Sequence, residues 1–374
     1  MWFDNSSSRR RLEREDNQIV NGAPDGVPLS SAIVKTEAAA IGFDLCGIAP
    51  VQCHPELTSL QDWLARGYAG EMQYMHRTAE RRADVRAVMP SAQCVISLGI
   101  VYNTDRPYSN QDSDPTRAAI ARYAWGDDYH VVIEKRLAQL IARLRAISNV
   151  QFEARAYVDT GPVQERVYAR HAGLGWIGKN TCLINEDLGS WIFLSEIICS
   201  LSLEPDAPAF DQCGSCARCL DACPTGALVD PGVLDATRCL SYLTIELKGA
   251  IPVEHRGAVG KHAYGCDICQ EVCPWNIAPG IGKSTDQEWQ PRPGLDAAGL
   301  LDLWNRSDDG LRALLKGSAM KRAGVKRLRR NLAVALGNSG DPVAAAALVA
   351  NREETARDPL VAEHVAWAVD KLNG

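Results

Sequence analysis

Eight of the chain's thirteen cysteines fall between Cys213 and Cys273. The first four read Cys213-Gly-Ser-Cys216-Ala-Arg-Cys219-Leu-Asp-Ala-Cys223-Pro224. A partial echo follows, Cys239 and then Cys266-Asp-Ile-Cys269-Gln-Glu-Val-Cys273-Pro274. Three cysteines at two-residue intervals can wrap three corners of a cubane iron–sulfur cluster. The fourth lies too far along and faces away; in two-cluster ferredoxins such a residue ligates the other cluster. The spacing therefore assigns Cys213, Cys216, Cys219 and Cys273 to one [4Fe–4S] cluster, and Cys223, Cys239, Cys266 and Cys269 to a second. Pro224 and Pro274 end each local turn by fixing φ. Two four-thiolate zinc sites are a rival reading, but zinc ribbons use paired C-x2-C knuckles rather than three cysteines in seven residues. Disulfides are another; the N-terminus lacks the order of a secretory signal, and a chain of 374 residues does not need staples.

A second set of residues could do acid–base or binding chemistry. Asp159 follows the apolar segment Phe152 to Val158 and opens Asp159-Thr-Gly-Pro162. A carboxyl at a strand end is placed to act as a general acid, with burial raising its pKa and keeping it protonated near neutral pH. It is equally placed to cap a helix over Val163–Arg170. Ala121 to His130 mixes aromatics, charges and a glycine, a composition of binding loops rather than cores. Gly173-Leu-Gly175-Trp-Ile-Gly178-Lys179-Asn180 matches G-x-G-x-x-G and nearly matches a P-loop. A helix precedes it, however, and Asn180 stands where a magnesium-binding hydroxyl belongs. The expectation is a loop that lets backbone approach a flat cofactor. Arg77, Arg81, Arg82 and Arg86 make either a solvated helix face or a clamp for a phosphate or for cofactor amide arms. Arg312 to Arg330 holds eight basic residues and no acidic one: Arg312, Lys316, Lys321, Arg322, Lys326, Arg327, Arg329 and Arg330. A solvated face is the usual reading of such a strip. Its single sign within an acidic protein points to phosphates.

These residues need a scaffold, and the chain is long enough for two or three domains. With 46 acidic and 40 basic residues the net charge is −6, so any nucleic-acid contact must be local. No apolar run approaches a membrane span, and the cysteine usage suits a reducing cytoplasm. Residues 1–30 read as a mobile polar tail. Helices are expected over 31–41, stopped by Gly42, over 57–66, stopped by Gly67, and over 128–147, capped by Asp127 or Asp128. Strands are expected over 43–49, 94–101, 152–158, 182–184 and 191–199, with 94–101 fully buried. Residues 203–211, with two prolines, read as a linker. Beyond Pro291 and Pro293 the chain is helical and alanine-rich; residues 332–372 resemble one or two turns of a HEAT-type repeat. Cys46, Cys53, Cys94, Cys182 and Cys199 remain, mostly in apolar surroundings that suit inert buried thiols.

Several segments together resemble one family, the epoxyqueuosine reductases. They are Arg122-Tyr-Ala-Trp-Gly-Asp-Asp-Tyr-His130, Val158-Asp-Thr-Gly-Pro-Val-Gln-Glu-Arg166, Ala172-Gly-Leu-Gly-Trp-Ile-Gly-Lys179, Cys239-Leu-Ser-Tyr-Leu-Thr-Ile-Glu246 and Tyr264-Gly-Cys-Asp-Ile-Cys-Gln-Glu-Val-Cys-Pro-Trp-Asn276. The likeness runs over roughly residues 31–374. It implies reduction of epoxyqueuosine to queuosine at the wobble position of a GUN-anticodon tRNA, in the cytoplasm, by a monomer. Electrons would come from a flavodoxin- or ferredoxin-type donor and pass through two [4Fe–4S] clusters to cobalamin. It implies an α+β fold: a nitroreductase-like cobalamin-binding catalytic domain (31–205), a bacterial-ferredoxin-like two-cluster domain (206–290) and a C-terminal HEAT-like tRNA-binding domain (291–374). Asp159 would be the proton donor. Arg82, Arg122, Arg166, Ser241 and Asp159 itself would contact cobalamin. Glu246 would lie near the anticodon, and the basic strip after residue 311 would grip the tRNA backbone. A corrinoid iron–sulfur reductase of a small molecule, similar to the reductive dehalogenases, is the alternative, although a small substrate needs neither the strip nor the repeat. A non-catalytic electron carrier leaves residues 31–203 without a purpose.

Overall fold

A computed structural model describes residues 26–295, 298–350 and 357–374. Most of the expected polar tail lies outside these residues. Its last part is packed: Val27 bridges Ser148, and the Ser30 side chain caps helix α1 (Ser31–Ile41). Gly42 ends that helix with φ 96°, a left-handed turn glycine adopts without a Cβ clash.

The first part of the chain is built on one antiparallel sheet in the order β1 (Leu45–Pro50), β2 (Cys94–Val101), β7 (Ile192–Cys199), β4 (Ala154–Tyr157). All eight residues of β2 are buried, as its unbroken apolar run requires of a strand covered on both faces. One face carries α1 and the long helix α2 (Tyr129–Ile147), which turn Ile133, Leu137, Leu140 and Leu144 onto Ile96, Leu98 and Ile197. Asp128 caps α2 by accepting the His130 N–H. The other face carries α3 (Glu165–His171), with Val167, Tyr168 and Ala169 packed on Val95 and Ile198. The expected strand over 182–184 does not join this sheet. It is β6 (Leu183–Ile184), which pairs only with β5 (Trp176–Ile177) in a small hairpin.

The linker expected over 203–211 is without regular structure, yet it is anchored. Asp206 accepts from Lys35 at 2.5 Å and from the Ile48 N–H at 2.8 Å. Past the cysteine region come α4 (Leu300–Trp304), α5 (Asp308–Leu315), α6 (Gly324–Ser339), α7 (Ala344–Ala350) and α8 (Pro359–Asn373). Their core, which includes Trp304, Leu332 and Leu336, also takes in Ile120, Ala124, Ile245 and Tyr264. The C-terminal helices therefore share one apolar interior with residues near 120 and with the segment that runs through the cysteine region. Among the described residues, no helix is long and apolar enough to cross a membrane.

Candidate active site

Asp159 stands just beyond β4 with φ 55°, a left-handed conformation rare for a non-glycine residue. Such strain costs about 1–3 kcal/mol and survives only where the surroundings impose it. Here the Glu165 carboxylate, at the start of α3, accepts the Asp159 main-chain N–H and pins the turn. Helix α3 starts without a side-chain cap, so Asp159 is not the N-cap of this helix. Its side chain keeps 45 % of its surface.

Three separate stretches supply its partners. From the start of α2, His130 brings Nε2 to 3.3 Å from Asp159 Oδ2 while Nδ1 lies 2.8 Å from Asp128 Oδ1. The Tyr129 hydroxyl also donates to Asp159. From the C-terminal helices, Arg322 places Nη1 3.7 Å from Asp159 Oδ2 and Nη2 2.7 Å from Glu246 Oε1. Tyr74 lies under the Arg322 guanidinium, 5.8 Å from ring centroid to charge.

The electrostatics correct one expectation. Burial acts to raise the Asp159 pKa, but the hydrogen bond and charge of His130, then Arg322 and Tyr129, outweigh it and hold the carboxyl below its usual range. Asp159 is an ionised carboxylate near neutral pH rather than a protonated acid. Burial disfavours the charged form of His130, yet hydrogen bonds to Asp128 and Asp159 prevail and push its pKa up to about 9. An imidazole facing two carboxylates through its two nitrogens satisfies both only as a cation, donating from each. The proton at this site is stored on His130, in contact with Asp159.

Cys213, Cys216, Cys219 and Cys273 line one pocket, beside Lys179 and Trp275. Cys223, Cys239, Cys266 and Cys269 lie close enough to act on one another electrostatically. Two stretches supply the four thiols of the first group and three supply those of the second; four thiols make a donor set of the kind a cubane cluster takes. The glycine-rich segment has another role than the one expected. A Cβ on Gly175 would sit 2.1 Å from the Ile184 carbonyl oxygen, so the chain's own hairpin, not a flat cofactor, occupies that space. Lys179 then donates to the carbonyls of Gly214 and Cys216, at 2.6 and 2.9 Å, and Asn180 donates to that of Cys269 at 3.3 Å. The segment clasps both thiol groups. Cys182, expected to be inert, is a free thiol hydrogen-bonded to that of Cys269 in the second group. Cys94 and Cys199 are indeed buried, opposite each other on β2 and β7, whereas Cys53 is exposed.

Several site candidates prove to be structural. Arg122 is 3 % exposed, donates to the carbonyls of Thr104, Arg106 and Pro107 and to Thr104 Oγ1, and stacks 4.4 Å from the Trp125 ring. Arg82 is buried and donates to Thr78 Oγ1 and the Val163 carbonyl. Arg122 is thus committed through both terminal nitrogens, and Arg82 through Nε and Nη1. Of the arginines clustered with Arg82, Arg77, Arg81 and Arg86 are exposed, the last paired with Asp84. Arg166 is exposed and donates to the Thr181 carbonyl; Ser241 is half-buried and reaches the Cys266 carbonyl at 3.4 Å.

The basic strip divides in the same way. Arg329 is buried against the Trp304 and Arg306 carbonyls. Arg330, at 0 % exposure, donates to the carbonyls of Leu243, Leu247 and Gly249. Arg327 holds the Ala323, Ile245 and Arg322 carbonyls. Arg329 and Arg330 are committed to the interior, whereas Arg327 is half-buried. Arg312 pairs with Asp309 at 2.5 Å and Lys326 with Asp358 at 2.9 Å. Lys316 and Lys321 are exposed. Sequence reasoning missed His130, Tyr129, Tyr74 and Glu165. The aromatic and charged segment 121–130 pointed to the first two without saying which carboxylate they would meet.

Comparison with known proteins agrees with this geometry. A profile described as epoxyqueuosine reductase QueG matches residues 82–160, and one described as a 4Fe-4S double cluster binding domain matches residues 212–276. An epoxyqueuosine reductase of Pseudomonas aeruginosa is 43% identical over 350 residues, 92% of this chain and 95% of that protein. The chain belongs to the epoxyqueuosine reductase family. The Xanthomonas campestris member is 41% identical over 91% of this chain and 95% of its own length, and that of Escherichia coli 38% over 90% and 88%. Among solved structures, an epoxyqueuosine reductase with an epoxyqueuosine-modified tRNA-Tyr stem loop superposes with a TM-score of 0.81. It is 32% identical, over 91% of this chain and 89% of that one. A Bacillus subtilis member, described with its aspartate-bearing catalytic loop swung out of the active site, gives 0.79 at 31% identity over the same shares.

Proposed function

We propose that this chain reduces epoxyqueuosine to queuosine at the wobble position of a GUN-anticodon tRNA in the cytoplasm. The observation that carries the reading is the exposed Asp159 carboxylate, in a strained loop against a protonated His130, in a chain of this family. Its relatives act on epoxyqueuosine, and one is solved with a tRNA stem loop carrying it. Membership of this family favours that substrate over a small molecule. Converting an epoxide to an alkene takes two electrons and two protons and releases the oxygen as water.

The two thiol groups fit two [4Fe–4S] clusters, Cys213, Cys216, Cys219 and Cys273 holding one and Cys223, Cys239, Cys266 and Cys269 the other. A flavodoxin- or ferredoxin-type donor would supply electrons one at a time. Arg166 is the residue after Glu165 and is bonded to Thr181, next to Cys182, which bonds to Cys269. Ser241 lies two residues past Cys239. On this reading both would lie between the second cluster and Asp159 and would hold cobalamin there. Bound cobalamin would supply cobalt redox chemistry at the epoxide carbon. Asp159 orients toward the substrate oxygen and passes on the proton held on His130 Nε2 as the carbon–oxygen bond breaks. Arg322 and Glu246 form the rim over Asp159, where an anticodon base would enter. Lys316 and Lys321, both exposed, would meet tRNA phosphates. The four-stranded sheet with α1 and α2 would be the nitroreductase-like core, and α6 to α8 the HEAT-like repeat, in a monomer divided near residues 205 and 290.

The test is anaerobic reconstitution with iron, sulfide and cobalamin, followed by turnover of epoxyqueuosine-containing tRNA. Queuosine should form. Asp159→Asn should keep cobalamin and tRNA affinity and lose turnover by about 100-fold or more. Full activity in that variant would remove Asp159 from the chemistry; no queuosine from the fully loaded wild type would refute the function.

A further inference from the structure

Cys182 belongs to neither set of four cysteines, yet its thiol is hydrogen-bonded to that of Cys269. The backbone that presents it is strained. Thr181, the residue before it, has φ 66°. A β-branched residue in the left-handed region is an outlier, and it persists only where its surroundings impose it. Hydrogen bonds impose it here. The Thr181 N–H donates to the Gly178 carbonyl at 2.8 Å, and the Gly178 N–H to the Cys182 carbonyl at 2.8 Å. Arg166, from α3, donates to the Thr181 carbonyl. Asn180, 4 % exposed, then ties the two cysteines to each other. Its Oδ1 accepts the Cys182 N–H at 3.2 Å, and its Nδ2 donates to the Cys269 carbonyl at 3.3 Å. These main-chain contacts bring Cys182 and Cys269 together independently of the bond between their thiols.

We propose that the Cys182 thiol donates a hydrogen bond to the Cys269 thiolate of the second cluster and so raises the reduction potential of that cluster. The inference rests on the assignment above of Cys223, Cys239, Cys266 and Cys269 to a [4Fe–4S] cluster. Between two free thiols either sulfur can donate. A cysteine that ligates iron is a thiolate and has no hydrogen left, so Cys182 becomes the donor. Its sulfur also lies 3.8 Å from the Asn180 carbonyl oxygen, but the charged thiolate is the stronger acceptor. Reduction adds negative charge to a cluster and its sulfurs. A donor aimed at one of those sulfurs therefore stabilises the reduced form more than the oxidised one, and such bonds help set cluster potentials. The effect is confined to one cluster. Beside the first group, Lys179 donates to the carbonyls of Gly214 and Cys216 rather than to a sulfur. A higher potential at the second cluster favours transfer from the first to the second. The second is the one joined, through Thr181, Arg166 and Glu165, to the Asp159 turn. Cys182 keeps its hydrogen throughout and is not itself oxidised or reduced.

A redox titration separates this role from a structural one. The full chain is reconstituted anaerobically with iron and sulfide, and the reduced clusters are followed by electron paramagnetic resonance as the potential is varied. Cys182→Ala should move one of the two midpoint potentials to a more negative value and leave the other where it is in wild type. Its iron and sulfide content should match wild type. Cys182→Ser, whose hydroxyl still donates, should bring the shifted potential back toward wild type. Two unmoved potentials in Cys182→Ala overturn the proposal, as does an equal shift of both. A serine variant that shifts as far as the alanine variant overturns it too. Loss of iron from Cys182→Ala would make Cys182 a ligand or a support of the site, and also overturns it. A wild type that takes up no cluster overturns the cluster assignment and the proposal together. A wild type that holds both clusters, shows the shift on Cys182→Ala and makes no queuosine when also loaded with cobalamin overturns the function and leaves the Cys182 bond standing.

Discussion

Replacing Arg330 with methionine distinguishes the two roles a basic strip can have. The guanidinium is wholly buried and donates to the main-chain oxygens of Leu243 (2.6 Å), Leu247 (2.8 Å) and Gly249 (2.6 Å), and to Asn331 Oδ1 (2.9 Å). Those carbonyls belong to the π-helical turn Tyr242–Glu246 and the residues just after it, so Arg330 fastens onto α6 the segment that carries Glu246. Methionine fills much of the volume and donates nothing. Each buried acceptor left unpaired costs about 1–3 kcal/mol, so three cost about 3–9 kcal/mol. A folded domain has only about 5–15 kcal/mol in total. Thermal unfolding followed by circular dichroism should show a fall in Tm of at least about 4 °C. Filter binding of tRNA between about 50 and 200 mM salt should give a slope of log affinity against log salt equal to wild type. A lost phosphate contact would instead reduce that slope by about one. An unmoved Tm together with a shallower slope would refute the structural assignment of Arg330.

Three other outcomes follow from the site. Asp128→Asn keeps the helix cap and removes one of the two charges on His130, so the imidazole pKa should drop from about 9 by about one unit, or about 1.4 kcal/mol. Titration of 15N-histidine-labelled protein, with His130→Gln to identify the signal, measures this; an unchanged value excludes Asp128 as a source. Because the folded His130 pKa lies above its ordinary 6.5, its stabilisation is complete below that pH and lost as pH rises through 9. The loss is about 3 kcal/mol at most, and urea unfolding of His130→Gln should lack the part of the decline above pH 8. Arg322→Gln, which unlinks Glu246 from Asp159, should lower kcat more than tRNA affinity, whereas Lys316→Ala and Lys321→Ala should each weaken affinity and reduce the salt slope. Equal behaviour of all three variants would show Arg322 to be one more phosphate contact.

The sequence determined what is local in cause. Ligand spacing within a turn is a chain property, so two thiol groups could be proposed from the sequence, the first needing one distant cysteine (Cys273) and the second two (Cys223 and Cys239) beside Cys266 and Cys269. Helix α2 and strand β2 were legible because periodicity and an unbroken apolar run follow from the geometry of single elements. Asp159 could be singled out, but not its charge. Residues at 130 and 322 meet it only after folding, and the proton then moves to the histidine. Likewise Arg312 and Lys321 cannot be told from Arg329 and Arg330 by type or spacing. Burial decides between them, and it depends on which carbonyls from residues 243–249 and 304–306 arrive on the same helix. Charge and capacity to ligate are carried by the residue. Protonation, exposure and partner are properties of position, set by how far water is excluded and by which distant groups tertiary packing brings within a few ångströms.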